Sequence, residues 1–91
     1  MNELQAIVSG RVQMVMYRDF VVRNARTFEL DGEVKNLPDG TVKVIAQGER
    51  PELEMLLQSL REGPVLAHVD TVVVKWVKPS VGYNGFHIVY E

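Results

Sequence analysis

Two stretches carry residue types that could do chemistry on an anion. In Gly10-Arg11-Val12-Gln13-Met14-Val15-Met16-Tyr17-Arg18 a loop ends on an arginine, and in Asn36-Leu37-Pro38-Asp39-Gly40 a carboxamide stands just ahead of a turn. The first lies between an alternating run (Leu4, Ala6 and Val8 against Gln5, Ile7 and Ser9) and a segment with helical spacing, so it reads as a strand-to-helix loop. Such a loop aims unpaired N–H groups over the helix N-terminus, where an anion is the natural guest. Arg18 strengthens the reading, because a cation at the positive end of a helix is disfavoured unless something negative compensates it. An Arg18 that swings into water is the plainer alternative, and for Asn36 the plainer role is that of a local backbone capper.

The elements that must position these residues follow from pattern and punctuation. A first strand runs from about Leu4 to Ser9 and ends at Gly10. A helix from Arg18 to Phe28 places Val21, Ala25 and Phe28 on one face at i, i+4 and i+7, and Asp31-Gly32 breaks the pattern. Extended chain from Glu33 to Asn36 meets Leu37-Pro38-Asp39-Gly40, where Pro presets φ, Asp bonds its own backbone and Gly allows a positive φ, which makes a hairpin turn. The returning strand covers Thr41 to Gln47. Pro51 opens a second helix with Leu53, Leu56, Leu57 and Leu60 as its stripe, and Gly63-Pro64 stops it. A strand from Val69 to Val77, a loop from Lys78 to Asn84 and a last short strand from Gly85 to Tyr90, with Phe86, Ile88 and Tyr90 on one side, complete the chain.

Strand, helix, strand, strand, helix, strand with a tight central hairpin is the split βαβ order of an α+β ferredoxin-like sandwich. Right-handed crossovers then set both helices on one face of an antiparallel sheet. The 91 residues make one domain, 1–91. There is no cysteine, hence no disulfide, thiolate nucleophile or cysteine-based metal site, and His68 and His87 lack ligand-like companions. No signal peptide and no run long enough to span a bilayer stand out, so a cytoplasmic protein away from membranes is expected. A net charge of −2 argues against a nucleic-acid partner and for a small one.

Gly10-x-Val12-Gln13-x-Val15-x-Tyr17-Arg18, followed by Lys35-Asn36-Leu37-Pro38-Asp39-Gly40-x-Val42 and Gly48, resembles the paired signature of the acylphosphatase family over nearly the whole chain. The resemblance implies a hydrolase that splits acyl phosphates into a carboxylate and inorganic phosphate. It further implies that the amides of Gln13, Met14, Val15, Met16, Tyr17 and Arg18 bind the phosphoryl group, with Arg18 and Asn36 catalytic and Asn36 orienting the attacking water. No metal, cofactor or covalent intermediate belongs to that scheme, and a monomer is expected. The chemistry is compatible: a carboxylate is a good leaving group, and a planar guanidinium with a ring of amides matches the charge on phosphoryl oxygens.

The chain departs from the family where Gly is usual and Met14 stands, where a small residue is frequent and Met16 stands, and where an aromatic is usual and Glu33 stands. A phosphate cradle commonly needs a positive φ, which costs a non-glycine residue roughly 1–2 kcal/mol. The expectation is an empty loop that relaxes, weakening phosphate binding, with Met16 packed on apolar neighbours. Two other readings stand beside catalysis. One is a phosphometabolite-binding module without turnover; the other is an RNA-binding module, which Thr71, Val73, Lys75 and Val77 do little to support because they offer no aromatic platform.

Overall fold

The computed structural model describes residues 1–90. Seven elements follow in chain order: β1 (Asn2–Arg11), α1 (Tyr17–Thr27), β2 (Asp31–Asn36), β3 (Val42–Gly48), α2 (Arg50–Glu62), β4 (His68–Val77) and β5 (Phe86–Ile88). The sheet runs β4-β1-β3-β2-β5. Every neighbouring pair is antiparallel except β2 and β5, which pair in parallel, so the sheet is mixed rather than purely antiparallel. A parallel neighbour can only arrive by a long connection, and β5 reaches the edge beside β2 after the whole β3-α2-β4 excursion.

The strict alternation of β1 sets the register. Leu4 faces Ala46 and Trp76, Ala6 faces Val44 and Val74, and Val8 faces Val42 and Val72. The rows continue through β2 and β5, where Val44 meets Val34 and Val34 meets Ile88. This face packs against both helices: Val21, Val22 and Ala25 of α1 and Leu53, Leu56, Leu57 and Leu60 of α2 are buried on it. Truncating any of these leucines to Ala removes roughly 2–5 kcal/mol, because the cavity left behind cannot fully collapse.

Both helices end by identifiable devices. Gly63, at φ 70°, stops α2 and returns its N–H to the Ser59 carbonyl at 2.9 Å. The stop of α1 comes one residue before Phe28 and without a glycine. Glu29 takes the left-handed conformation at φ 57°, and Leu30 N–H bonds the Ala25 carbonyl at 2.9 Å while its side chain is buried in the core. Leu30 thus fixes the boundary that Asp31-Gly32 suggests in sequence.

Candidate active site

At the end of β1 the chain must leave the sheet, and Gly10 makes that possible. The β1–β4 register shifts between Ser9 and Gly10, and Gly10 has φ 126°, with any Cβ at that position colliding with the His68 carbonyl. Only glycine fits this bulge. Beyond it the loop alternates sides. Val12 is buried and Val15 packs on the core, whereas Met14 and Met16 are 96% and 64% exposed. Tyr17 then turns inward as the first residue of α1, and its hydroxyl donates to the Leu60 carbonyl at 2.8 Å. That carbonyl lies in the last turn of α2, where no intrahelical donor remains for it. Burial pushes the Tyr17 hydroxyl far above the usual phenol range, so it is a neutral donor at any ordinary pH.

This alternation leaves the backbone of the loop in an unusual state. Met14 at φ 60° and Met16 at φ 62° both hold the left-handed conformation. Met16 is the N-cap of α1 and supplies no side-chain cap. Among the described residues no carbonyl accepts a hydrogen bond from the amides of residues 13–18, so a run of donors stands free at the positive end of α1. Buried Val12 and Tyr17 flank the loop, and Met14 between them holds the positive φ that a phosphate cradle commonly needs. One expectation changes here. Met16 points outward rather than onto apolar neighbours, since Val15 and Tyr17 take the inward positions.

Gln13 does not offer its side chain to the loop interior. Its Nε2 donates to the carbonyls of Leu37 and Thr41, each at 2.9 Å, the two residues that bracket the β2–β3 turn. The turn closes itself independently: Leu37 N–H bonds Thr41 O at 2.9 Å, Gly40 N–H bonds Leu37 O at 3.1 Å, and Asp39 accepts from the Thr41 N–H and hydroxyl. Those two bonds hold the Asp39 carboxyl below the usual carboxylate range. Gln13 therefore clamps the end of β2, and with it Asn36, to the loop.

Asn36 is the last residue of β2 and pairs with Val42. Gly32, Val34 and Asn36 share the helix-facing side of the strand, so a carboxamide occupies a position where the alternation calls for an apolar residue. Its Oδ1 is buried and has no hydrogen-bond partner among the described residues. A buried acceptor left unpaired costs about 1–3 kcal/mol, and such a group in a native fold calls for an explanation.

Beside the loop a cleft of about 90 Å³ has Met14, Met16, Tyr17 and Arg18 among its walls, with Asp19, Ile88 and Tyr90 on the other sides. That is room for one tetrahedral oxyanion or a few waters. Gln13, Val15 and Asn36 are not among its walls. The Arg18 guanidinium lies 5.2 Å from the centroid of the Tyr90 ring, within cation–π range. Tyr90 is thus a site residue that its place in a terminal strand pattern did not single out; the cue in the sequence is its phase with Phe86 and Ile88. Among the described residues no group of three His, Cys, Asp or Glu side chains is arranged to hold a metal ion.

The Acylphosphatase family model matches residues 4–88. The chain is 46% identical to an acylphosphatase of Thermus thermophilus, over 97% of this chain and 99% of that one. It is 47% identical to an acylphosphatase of Deinococcus radiodurans, over 93% and 97% of the two chains. The fold superposes on the crystal structure of an acylphosphatase from Bacillus subtilis with a TM-score of 0.95 and 34% identity, covering 99% of this chain and 100% of that one.

Proposed function

The chain belongs to the acylphosphatase family, and from that premise we propose how its residues divide the work of hydrolysing acyl phosphates to a carboxylate and inorganic phosphate. The amides of residues 13–18 and the Arg18 guanidinium hold the three non-bridging phosphoryl oxygens. Asn36 Oδ1 accepts a hydrogen from the attacking water and turns a lone pair of that water toward phosphorus. The water oxygen bonds to phosphorus as the bond from phosphorus to the acyl oxygen breaks, the carboxylate leaves with the electron pair, and the water protons remain with the phosphate. Positioning and charge stabilisation supply the catalysis, since a carboxylate needs no strong acid to depart.

The observation that carries this division is the buried, unpartnered Oδ1 of Asn36 at the end of a strand clamped to a loop of free amides. A water held there satisfies the acceptor and becomes the nucleophile in one step. Met14 and Met16 hold left-handed conformations two residues apart, and concave anion nests are built from αL residues of this kind.

We further assign the chain, residues 1–91, as one domain acting as a cytoplasmic monomer on a small-molecule substrate, without metal, cofactor, nucleic acid or membrane. The net charge of −2 supports a small-molecule over a nucleic-acid partner, and the low demand of the leaving group supports a reaction without metal. No described helix is long and apolar enough to cross a membrane. The test is hydrolysis of acetyl phosphate and benzoyl phosphate in the presence of a chelator. Turnover should persist, inorganic phosphate should inhibit competitively, and a phosphate monoester should be a poor substrate. Activity abolished by the chelator and restored by a divalent cation contradicts the scheme.

A further inference from the structure

The cleft at the loop is large enough for a phosphoryl group and little else, so the rest of an acyl phosphate must lie across its mouth. Three large apolar side chains stand at that mouth with their surfaces turned to solvent: Met14 is 96% exposed, Met16 64% and Tyr90 73%. They come from both sides, two from the β1–α1 loop and one from the segment after β5. Met14 and Met16 both hold a left-handed backbone, with their side chains turned to solvent. Exposed apolar surface gathered around a polar cleft marks a place where something apolar is bound. The charges point the same way. Arg18 is the only cation among the residues lining the cleft, and Asp19 is the only anion. With Arg18 engaged by the phosphoryl group, an anionic substituent on the acyl group meets a carboxylate and no counter-charge.

Resting on the assignment of this cleft to the phosphoryl group, we propose that Met14, Met16 and Tyr90 form an apolar rim that seats the acyl group and selects uncharged, apolar acyl phosphates over small or anionic ones. A flat acyl group lies between the thioether side chains and the Tyr90 ring. Methionine suits such a contact because its flexible, polarisable side chain conforms to different shapes and packs well on aromatic faces. The rim is open to solvent rather than enclosing, so the discrimination is smaller than the ten- to 200-fold that an enclosed methylene pocket achieves. The rim acts on the choice of acyl group, not on the bond broken.

The experiment compares kcat/KM for benzoyl phosphate, acetyl phosphate and 3-carboxybenzoyl phosphate in the parent, Met14→Gln, Met16→Gln, Tyr90→Ala and Asp19→Asn. Taking the change in the benzoyl-to-acetyl ratio between parent and variant cancels the intrinsic reactivity of each anhydride and any general effect on the cradle. The ratio should fall by roughly fivefold to tenfold in the combined Met14→Gln and Met16→Gln variant and by roughly threefold or more in Tyr90→Ala. Asp19→Asn should raise the 3-carboxybenzoyl-to-benzoyl ratio by about twofold to threefold. Binding of benzoylphosphonate against acetylphosphonate, read by calorimetry, gives the same comparison without turnover. If neither acyl phosphate is hydrolysed by the parent, the catalytic reading fails, and the phosphonate ratio still decides whether the rim exists. Ratios that stay within twofold of the parent in every rim variant, by both readouts, overturn the rim.

Discussion

Met14 and Met16 hold the same left-handed backbone, at φ 60° and φ 62°, with a single residue between them. Each carries a cost that glycine would avoid, since an L side chain in this region crowds its own carbonyl by roughly 1–2 kcal/mol. Buried Val12 and Tyr17 on either side fix the path of the loop, so the cost falls on folding more than on binding. Met14→Gly should therefore stabilise the protein by about 0.5–1 kcal/mol, the strain relieved less the extra chain entropy of glycine. For a domain of this size that is a rise in Tm of roughly 2–8 °C. Calorimetry reads the shift, and the phosphate inhibition constant should stay within about threefold of the parent. A tenfold gain in phosphate affinity with no change in Tm shows instead that the empty loop relaxes and that binding restores it.

Gln13 should matter to rate more than to phosphate affinity. Its amide nitrogen bonds both carbonyls that bracket the turn after Asn36, and each carbonyl keeps a backbone donor when Gln13 is removed. Gln13→Ala should cost about 1–2 kcal/mol of stability and lower kcat by roughly tenfold through looser placement of Asn36. Phosphate inhibition, measured in the same preparation, should move by less than about threefold, because the amides of residues 13–18 are untouched. A loss of phosphate affinity equal to the loss of kcat assigns Gln13 to the anion site itself.

The hydroxyl of Tyr17 links the two helices through the Leu60 carbonyl. Its ionisation is pushed upward in the fold by burial, whereas an unfolded tyrosine ionises near pH 10. The unfolded chain therefore releases this proton first. The stabilisation is fully present below about pH 10 and is lost progressively as pH rises toward the folded value. Tyr17→Phe should lower stability at neutral pH by about 1 kcal/mol, since the Leu60 carbonyl loses its donor. It should also flatten the fall in stability above pH 10, which denaturant titrations at pH 7, 9 and 10.5 compare. A parent whose alkaline loss matches that of the variant places the alkaline-sensitive group elsewhere.

Much of this architecture is legible in the sequence because local patterns agree with it. The period-two runs of β1, β3 and β4, the leucine stripe of α2 and the Pro-Asp-Gly turn each specify an element. The parallel pairing of β5 beside β2 is not legible in this way, since the register between segments some fifty residues apart is set by packing that no local pattern encodes. Among the candidate site residues, Arg18 and Asn36 stand out in the sequence only in combination. Asn36 has one further cue, its phase with Gly32 and Val34, which sets it on the core side of the strand. The clamp made by Gln13 and the approach of Tyr90 to Arg18 depend on tertiary contacts.

In the proposed reaction Arg18 holds the phosphoryl group and Asn36 holds the water. This division is tested most directly by kcat with benzoyl phosphate and the inhibition constant of inorganic phosphate, measured together in Arg18→Ala and Asn36→Ala. Removing Asn36 should lower kcat by ~100-fold or more and leave phosphate inhibition nearly unchanged, as when one preorganised polar group is lost from a site. Removing Arg18 should weaken phosphate binding and turnover together, because the guanidinium meets the same oxygens in the ground and transition states. Collapse of phosphate affinity in Asn36→Ala with affinity retained in Arg18→Ala contradicts the division of roles.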